Sequence, residues 1–235
     1  MSIALFLRTH PLPALEQADR DALEAAMGPA QEVAPRQIIV RENVPLHSCT
    51  LLLSGFVQRY KDAANGNRQS LGIHIPGDFV DLHSYPLGRL EHSIATITPV
   101  RIASVRHEQV RALTARTTVL TQLLWRATLV DAAINREWLL GIGVRPAAQR
   151  VAHLLCEMYV RLERIGMTRG LRFDLPLTQT DIAEATGLTP VHTNRMLRQL
   201  REEGLAEFRQ GMVQIPDWPA LKRFAEFDTA YLFLD

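Results

Sequence analysis

The residues best suited to chemistry lie between Leu177 and Leu205, in LTQTDIAEATGLTPVHTNRMLRQLREEGL. Asn194, Arg195 and Arg198 follow Val191 by three, four and seven positions, which puts all four on one face of a helix. An arginine fork matches the O6 and N7 acceptors of guanine, and a carboxamide matches the N6 donor and N7 acceptor of adenine. Thr178 and Thr189 stand where helix caps are needed, and hydroxyls and backbone N–H groups at helix N-termini suit phosphates. The candidate DNA-binding residues are therefore Thr178, Gln179, Thr189, Val191, His192, Asn194, Arg195 and Arg198. His192 reads equally well as a phosphate or base contact and as a solvated side chain. Arg195 has a plainer alternative, a surface ion pair with Glu202 or Glu203, which would contribute little.

No other set of residues converges so well. The chain has no P-loop, no dinucleotide-binding glycine fingerprint and no Ser-His-Asp or Cys-His set. His74 and His83 are nine apart with no H-x-H pair, and Glu42 and Glu91–His92 do not complete a metal-binding spacing. A metal enzyme stays open only as an alternative that stoichiometric metal in the purified protein would revive. Cys49 and Cys156 are too few for a disulfide framework or a four-cysteine metal site, and read as buried thiols in a reducing compartment. No catalytic residue, metal or cofactor is assigned.

The elements that must position the reading face follow from the same stretch. Thr178 caps a short helix, Gln179–Thr186, with Asp181 three residues on. Gly187 ends it, Thr189 caps the next helix, and Pro190 opens it where a missing N–H costs nothing. The second helix runs to about Glu203, with Thr193, Met196, Leu197 and Leu200 facing inward. Leu205–Ile215 reads as two short strands around Gln210–Gly211. Helix, tight turn, amphipathic helix and hairpin together make a winged helix-turn-helix.

Upstream, Leu12–Met27 reads as a helix with Asp19, Arg20 and Glu24 on its outer side. Short runs rich in Ile, Val and Leu then occur at Gln37–Val40, Thr50–Leu53, Phe56–Tyr60, Ser70–Ile75, Ser93–Thr96 and Val100–Val105. Turn residues separate them, including Asn65–Gly66, which suits a tight hairpin. This spacing predicts an antiparallel sandwich or barrel. From His107 to Leu140 there is no Gly or Pro, and Val110, Leu113, Thr117, Leu120, Leu124, Ala127, Asp131, Ile134, Trp138 and Gly141 step by three or four. That seam predicts one long helix pairing with its own copy, the alternative being a core helix of a monomer. Asp131 either faces solvent or fixes the register. Gly141 and Gly143, followed by Pro146, predict a break, a hinge and the boundary between domains 1–141 and 142–235. A helix follows from Pro146 to about Leu162.

Composition limits the choices. The 235 residues carry 26 basic against 25 acidic side chains, and 47 % are apolar. This excludes a disordered chain and a wholly basic nucleic-acid protein. Even 142–235 is neutral, with 12 basic and 12 acidic residues, so only the local placement of arginines argues for DNA. No apolar run approaches 18 residues, and MSIALFLRTHPLP lacks a basic lead, so neither a membrane span nor a secretory signal is expected and the chain reads as cytoplasmic.

Ser54–Gly55 with Phe56–Tyr60, Ile75–Pro76–Gly77–Asp78–Phe79 and the Leu177–Leu205 block together resemble the cyclic-AMP receptor / fumarate-nitrate regulator (Crp/Fnr) family of bacterial transcription factors. The resemblance spans nearly the whole chain. It implies an α+β fold: an N-terminal antiparallel β-roll of the cyclic-nucleotide-binding, jelly-roll type, a long dimerisation helix at about 107–140, and a C-terminal winged helix-turn-helix. It also implies a homodimer on a two-fold symmetric double-stranded DNA operator, with RNA polymerase as a further partner to test. Nucleotide-binding relatives carry a Glu for the ribose and, ten residues on, an Arg-Ser pair for the cyclic phosphate. Here Leu82 and His92–Ser93 fall at those positions, so cyclic AMP is not the expected effector. Val191 replaces the acidic residue with which many members read cytosine. A cluster-binding relative would need four cysteines. His83 lies near where a haem-sensing relative places its axial His, and no haem is assigned. The candidate effector pocket is Leu82, His83, His92 and Ser93, its small-molecule ligand unknown. A regulator with a vestigial sensor and constitutive DNA binding is the alternative.

Overall fold

The computed structural model of the chain describes residues 3–234. Two short helices come first, α1 (Ala4–Thr9) and α2 (Gln17–Ala25). The helix expected over Leu12–Met27 thus begins only at Gln17. Pro11 and Pro13 keep His10 and Leu12 out of helical geometry, since proline disfavours it at the residue before. Asp19, expected on the outer side, is buried and accepts from Thr117 Oγ1 at 3.2 Å.

Seven strands follow: β1 (Gln31–Val33), β2 (Ile38–Val40), β3 (Ser48–Ser54), β4 (Val57–Asp62), β5 (Arg68–His74), and, after the short helix α3 (Ser84–Leu87), β6 (Ser93–Thr96) and β7 (Val100–Arg106). They form two antiparallel sheets, β1-β7-β3 and β2-β6-β4-β5. All six strands expected from the sequence are present; β1 and α3 are additional. Val40, Leu52, Val57, Ile94, Val100 and Ile102, drawn from both sheets, meet in one apolar core. Gly55 turns the chain between β3 and β4 at φ 83°, and a Cβ there would lie 2.3 Å from the Pro99 carbonyl oxygen, so only glycine fits. The β4–β5 connection is a five-residue loop rather than a two-residue turn. In it Ala63 N donates to Asn67 O, and of Asn65 and Gly66 only Gly66 has positive φ.

The stretch expected as one helix over 107–140 is two, α4 (His107–Arg116) and α5 (Thr118–Val144). Thr117 between them is extended, and its hydroxyl accepts from Leu120 N at 3.2 Å. A threonine that caps a new helix start competes with continuing the old one. Leu120, Leu123, Leu124 and Ala127 pack with Phe6, Cys49, Leu51 and Leu82 inside the protomer. Much of the seam read from the sequence therefore faces the chain's own core. The exposed apolar residues of α5 are Trp125 (65 % exposed) and Leu129 (54 %), with Leu139, Leu140, Ile142 and Val144 toward its end. No helix break occurs at Gly141 or Gly143. Arg145 N still donates to Gly141 O at 3.1 Å, and the interruption comes at Pro146, which is extended and precedes α6 (Ala147–Arg164).

The rest of the chain comprises β8 (Arg172–Asp174), α7 (Gln179–Thr186), α8 (Pro190–Glu202), β9 (Glu207–Arg209), β10 (Met212–Gln214), α9 (Trp218–Phe224) and a 3-10 turn at Ala230–Leu232. The sheet order is β8-β10-β9, one strand more than expected. By its internal contacts the chain forms two compact units. One holds residues up to Tyr60 with Ile73–Ala132; the other holds Lys61–Gly72 with Ala133–Phe233.

Candidate nucleic-acid interface

The local geometry of α7 and α8 follows from their caps. Thr178 and Asp181 exchange hydrogen bonds: Asp181 N donates to Thr178 Oγ1 at 3.1 Å, and Thr178 N donates to Asp181 Oδ2 at 2.7 Å. This capping box fixes the start of α7. Gly187 ends α7 at φ 63°, a left-handed conformation that a side chain would strain. Thr189 Oγ1 accepts from His192 N at 3.2 Å, and Pro190 opens α8.

On α8, Thr193, Met196, Leu197 and Leu200 are buried. Val191 (82 % exposed), Asn194, Arg195 and Arg198 face out. An apolar side chain this exposed at the tip of a capped helix has no core to join. Asn194 Nδ2 donates to Gln179 Oε1 at 3.1 Å, so the first residue of α7 touches the outer face of α8. Arg198 pairs with Glu202 at 2.7 Å, and Gln199 bonds Glu203. The carboxylates that offered Arg195 a surface partner are thus engaged by neighbours. Thr178, Gln179 and Thr189 are exposed, and His192 is partly covered. All eight residues sit at the N-terminal part of α7 or on α8.

Behind this face, β10 pairs Val213 with Phe173 of β8 and Phe208 of β9. The β9–β10 turn is Gln210–Gly211, both with positive φ, as expected for a tight wing hairpin. Buried Glu157 on α6 accepts from Trp138 Nε1 at 2.9 Å, Arg161 at 3.0 Å and Tyr231 OH at 3.0 Å. Burial raises its pKa. This hub fastens the end of α5 to the helix on which α7 and α8 pack.

In the β-roll the structure separates the candidate effector residues. His83 and His92 are neighbours, ring centroids 5.4 Å apart, and His92 Nδ1 lies 2.9 Å from Glu91 Oε1. Leu82 is only 6 % exposed and belongs to the apolar cluster under α5. Ser93 accepts from Glu42 N at 3.1 Å. The sequence reading missed Arg59 and weighed His74 only as a metal ligand of the wrong spacing. Arg59 is buried on β4, donating to Asp131 Oδ2 at 2.8 Å and Val80 O at 2.9 Å. His74 is buried with Nδ1 3.4 Å from Asp78 Oδ2. The available signal was an arginine amid the apolar run Phe56–Tyr60. Burial and then the Arg59 charge lower His83 to about 4 and hold His92 below its ordinary value. Burial likewise lowers His74. These imidazoles are neutral at pH 7 and supply no cation for a phosphate.

Two family models match the chain. A Crp-like helix-turn-helix domain covers residues 149–224, and a cyclic nucleotide-binding domain covers 30–117. The chain is 29 % identical over 207 residues to the transcriptional activatory protein AadR of Rhodopseudomonas palustris, covering 86 % of this chain and 81 % of that one. It is 25 % identical over 157 residues to the transcriptional activator protein FnrL of Cereibacter sphaeroides, covering 66 % of this chain and 62 % of the relative's length. The solved structure of FixK2 from Bradyrhizobium japonicum superposes with a TM-score of 0.77 at 23 % identity, covering 83 % of this chain and 96 % of that one. That likeness shows the shared fold.

Proposed function

This chain belongs to the Crp/Fnr family of DNA-binding transcription regulators, and on that premise we propose that it binds a two-fold symmetric operator as a homodimer, reading bases with the outer face of α8. The observation that carries this reading is the exposed row Val191, Asn194, Arg195 on a doubly capped helix whose opposite face is buried. Arg195 suits a guanine and Asn194 an adenine. Val191 offers a methyl-bearing tip where a carboxylate would accept from cytosine, which suits the thymine methyl group. Thr178, Thr189, His192 and Arg198 flank the face, where hydroxyls, N–H groups and a cation fit phosphates, and Gln179 flanks it in contact with Asn194. The functional modules are a sensor with its long helix, 1–141, and a DNA-binding domain, 142–235.

The dimer forms along the face of α5 that carries Trp125 and Leu129. No helix among the described residues is long and apolar enough to cross a membrane, and a DNA-bound regulator belongs in the cytoplasm. AadR and FnrL are described as activators, which makes RNA polymerase a reasonable partner. No catalytic step is assigned.

Cyclic AMP is not the effector in this reading. The buried arginine of the roll, Arg59, is committed to Asp131 and Val80, and the histidines around it are neutral. The same observation favours a second reading, a constitutive regulator with a vestigial sensor. Operator affinity measured with and without cell extract separates the two. Selection from a random DNA pool tests the main reading: an inverted repeat is expected, bound more weakly as salt rises. Recovery of no consensus would overturn it. Titrating cyclic AMP should give no heat, and a micromolar Kd would refute this view of the roll.

A further inference from the structure

Gln179 and Asn194 are fifteen residues apart, on different helices, and both are exposed. Their hydrogen bond is the side-chain link between the first residue of α7 and the outer face of α8. In water such a bond between neutral amides stabilises a fold weakly, because each amide could bond solvent instead. Its effect is on geometry. A free asparagine samples several rotamers, and fixing them on binding costs affinity. Here the fixing is done beforehand, and the anchor is itself fixed, since the capping box of Thr178 and Asp181 holds the backbone directly before Gln179.

The donor and acceptor inventory gives the bond a direction. A carboxamide has two N–H donors and one acceptor oxygen. Gln179 Oε1 takes one N–H of Asn194. One N–H and Oδ1 remain, a donor and an acceptor for N7 and N6–H of adenine.

We infer that Gln179 is a positioning residue that holds the Asn194 carboxamide ready for adenine, so that the two side chains read one base as a unit. This rests on the proposed reading of α8. Asn194 lies one turn beyond Val191 and next to Arg195, so its adenine lies in the same half-site as the guanine of Arg195.

The test is DNA selection with the full-length protein and five variants: Arg195→Ala, Asn194→Ala, Gln179→Ala, Gln179→Glu and the double variant Gln179→Ala, Asn194→Ala. Asn194→Ala should lose about tenfold in preference for adenine at one position of each half-site. Gln179→Ala should lose preference at that same position and keep the guanine. The double variant should lose no more than Asn194→Ala alone. Gln179→Glu still accepts from Asn194 Nδ2, so it should keep the adenine preference, although its charge lowers affinity for all DNA. If Gln179→Ala keeps the adenine and weakens every sequence equally, Gln179 is a phosphate contact and the inference fails while the reading of α8 stands. If it relaxes a different position, Gln179 reads a base itself and the inference likewise fails. If neither Asn194→Ala nor Arg195→Ala changes the consensus, the recognition face is wrong and both fall together.

Discussion

Arg59 of β4 and Asp131 of α5 form an ion pair, Nη1 to Oδ2 at 2.8 Å, that fastens the sheet to the long helix. The arginine side chain is almost wholly buried and the aspartate partly so. Burial alone would raise the Asp131 pKa, but Arg59 holds it below the ordinary carboxylate value. Removing one partner leaves a charge in the interior. Asp131→Ala is expected to destabilise the protein by about 2–4 kcal/mol in urea unfolding. The double variant Arg59→Met, Asp131→Leu should lose less than Asp131→Ala. Equal losses would show that the charges are not coupled.

Asp81 gives the roll a pH dependence of known sign. It accepts from Thr50 N and Oγ1, and burial raises it to about 7 from an ordinary value near 3.8. A folded-state pKa above the unfolded one means that the group supports folding when protonated. That contribution is complete below about pH 4 and disappears as pH rises through 7. Asp81→Asn should therefore flatten the stability profile between pH 4 and 7 and gain, relative to wild type, toward pH 7. His83, lowered to about 4, acts oppositely: its contribution holds above pH 6.5 and is lost as pH falls toward 4. Unfolding curves of Asp81→Asn and His83→Gln across this range separate the two.

The two faces of α5 predict different failures. Leu124 is 6 % exposed inside the protomer, so Leu124→Asp should unfold the chain by burying an unpaired carboxylate. Leu129 is exposed, so Leu129→Asp should leave a folded chain that sediments as a monomer at micromolar concentration. A folded dimer in the Leu129 variant would place the interface elsewhere.

Gly141 and Gly143 lie within α5 rather than at its break, and a Cβ at Gly143 would meet nothing within 4 Å. At Gly141 a Cβ would make only ordinary contacts with Arg145 and Arg150. The Gly141→Ala, Gly143→Ala variant should gain about 1 kcal/mol, or roughly 2–4 °C in Tm, with operator affinity unchanged. Changed operator affinity would restore a hinge at these glycines.

Arg195→Ala should weaken specific binding by about 1–3 kcal/mol per half-site and relax one guanine. Arg198→Ala should weaken all sequences alike, and less steeply with salt. Arg198 is paired with Glu202 in the free protein, so part of its effect should be offset by the cost of parting that pair. Uniform loss in Arg195→Ala would make Arg195 a phosphate anchor only.

The sequence by itself determined whatever local rules decide. Thr178, Gly187, Thr189 and Pro190 bound α7 and α8 because caps and positive φ act within a few residues. The strands were readable for the same reason, as runs between turns. What the seam of α5 packs against was not readable, because the row holding Leu124 could face a second copy as well as the chain's own sheet, and only the sheet beside it shows that Leu124 is buried and Leu129, off the row, exposed. The break at Thr117 looked like one more helical position, since a hydroxyl chooses between capping and continuing by what surrounds it. The contacts of Arg59 with Asp131, and of Gln179 with Asn194, join residues 72 and 15 positions apart. Such pairings depend on how separate elements pack, and only the tertiary structure decided them.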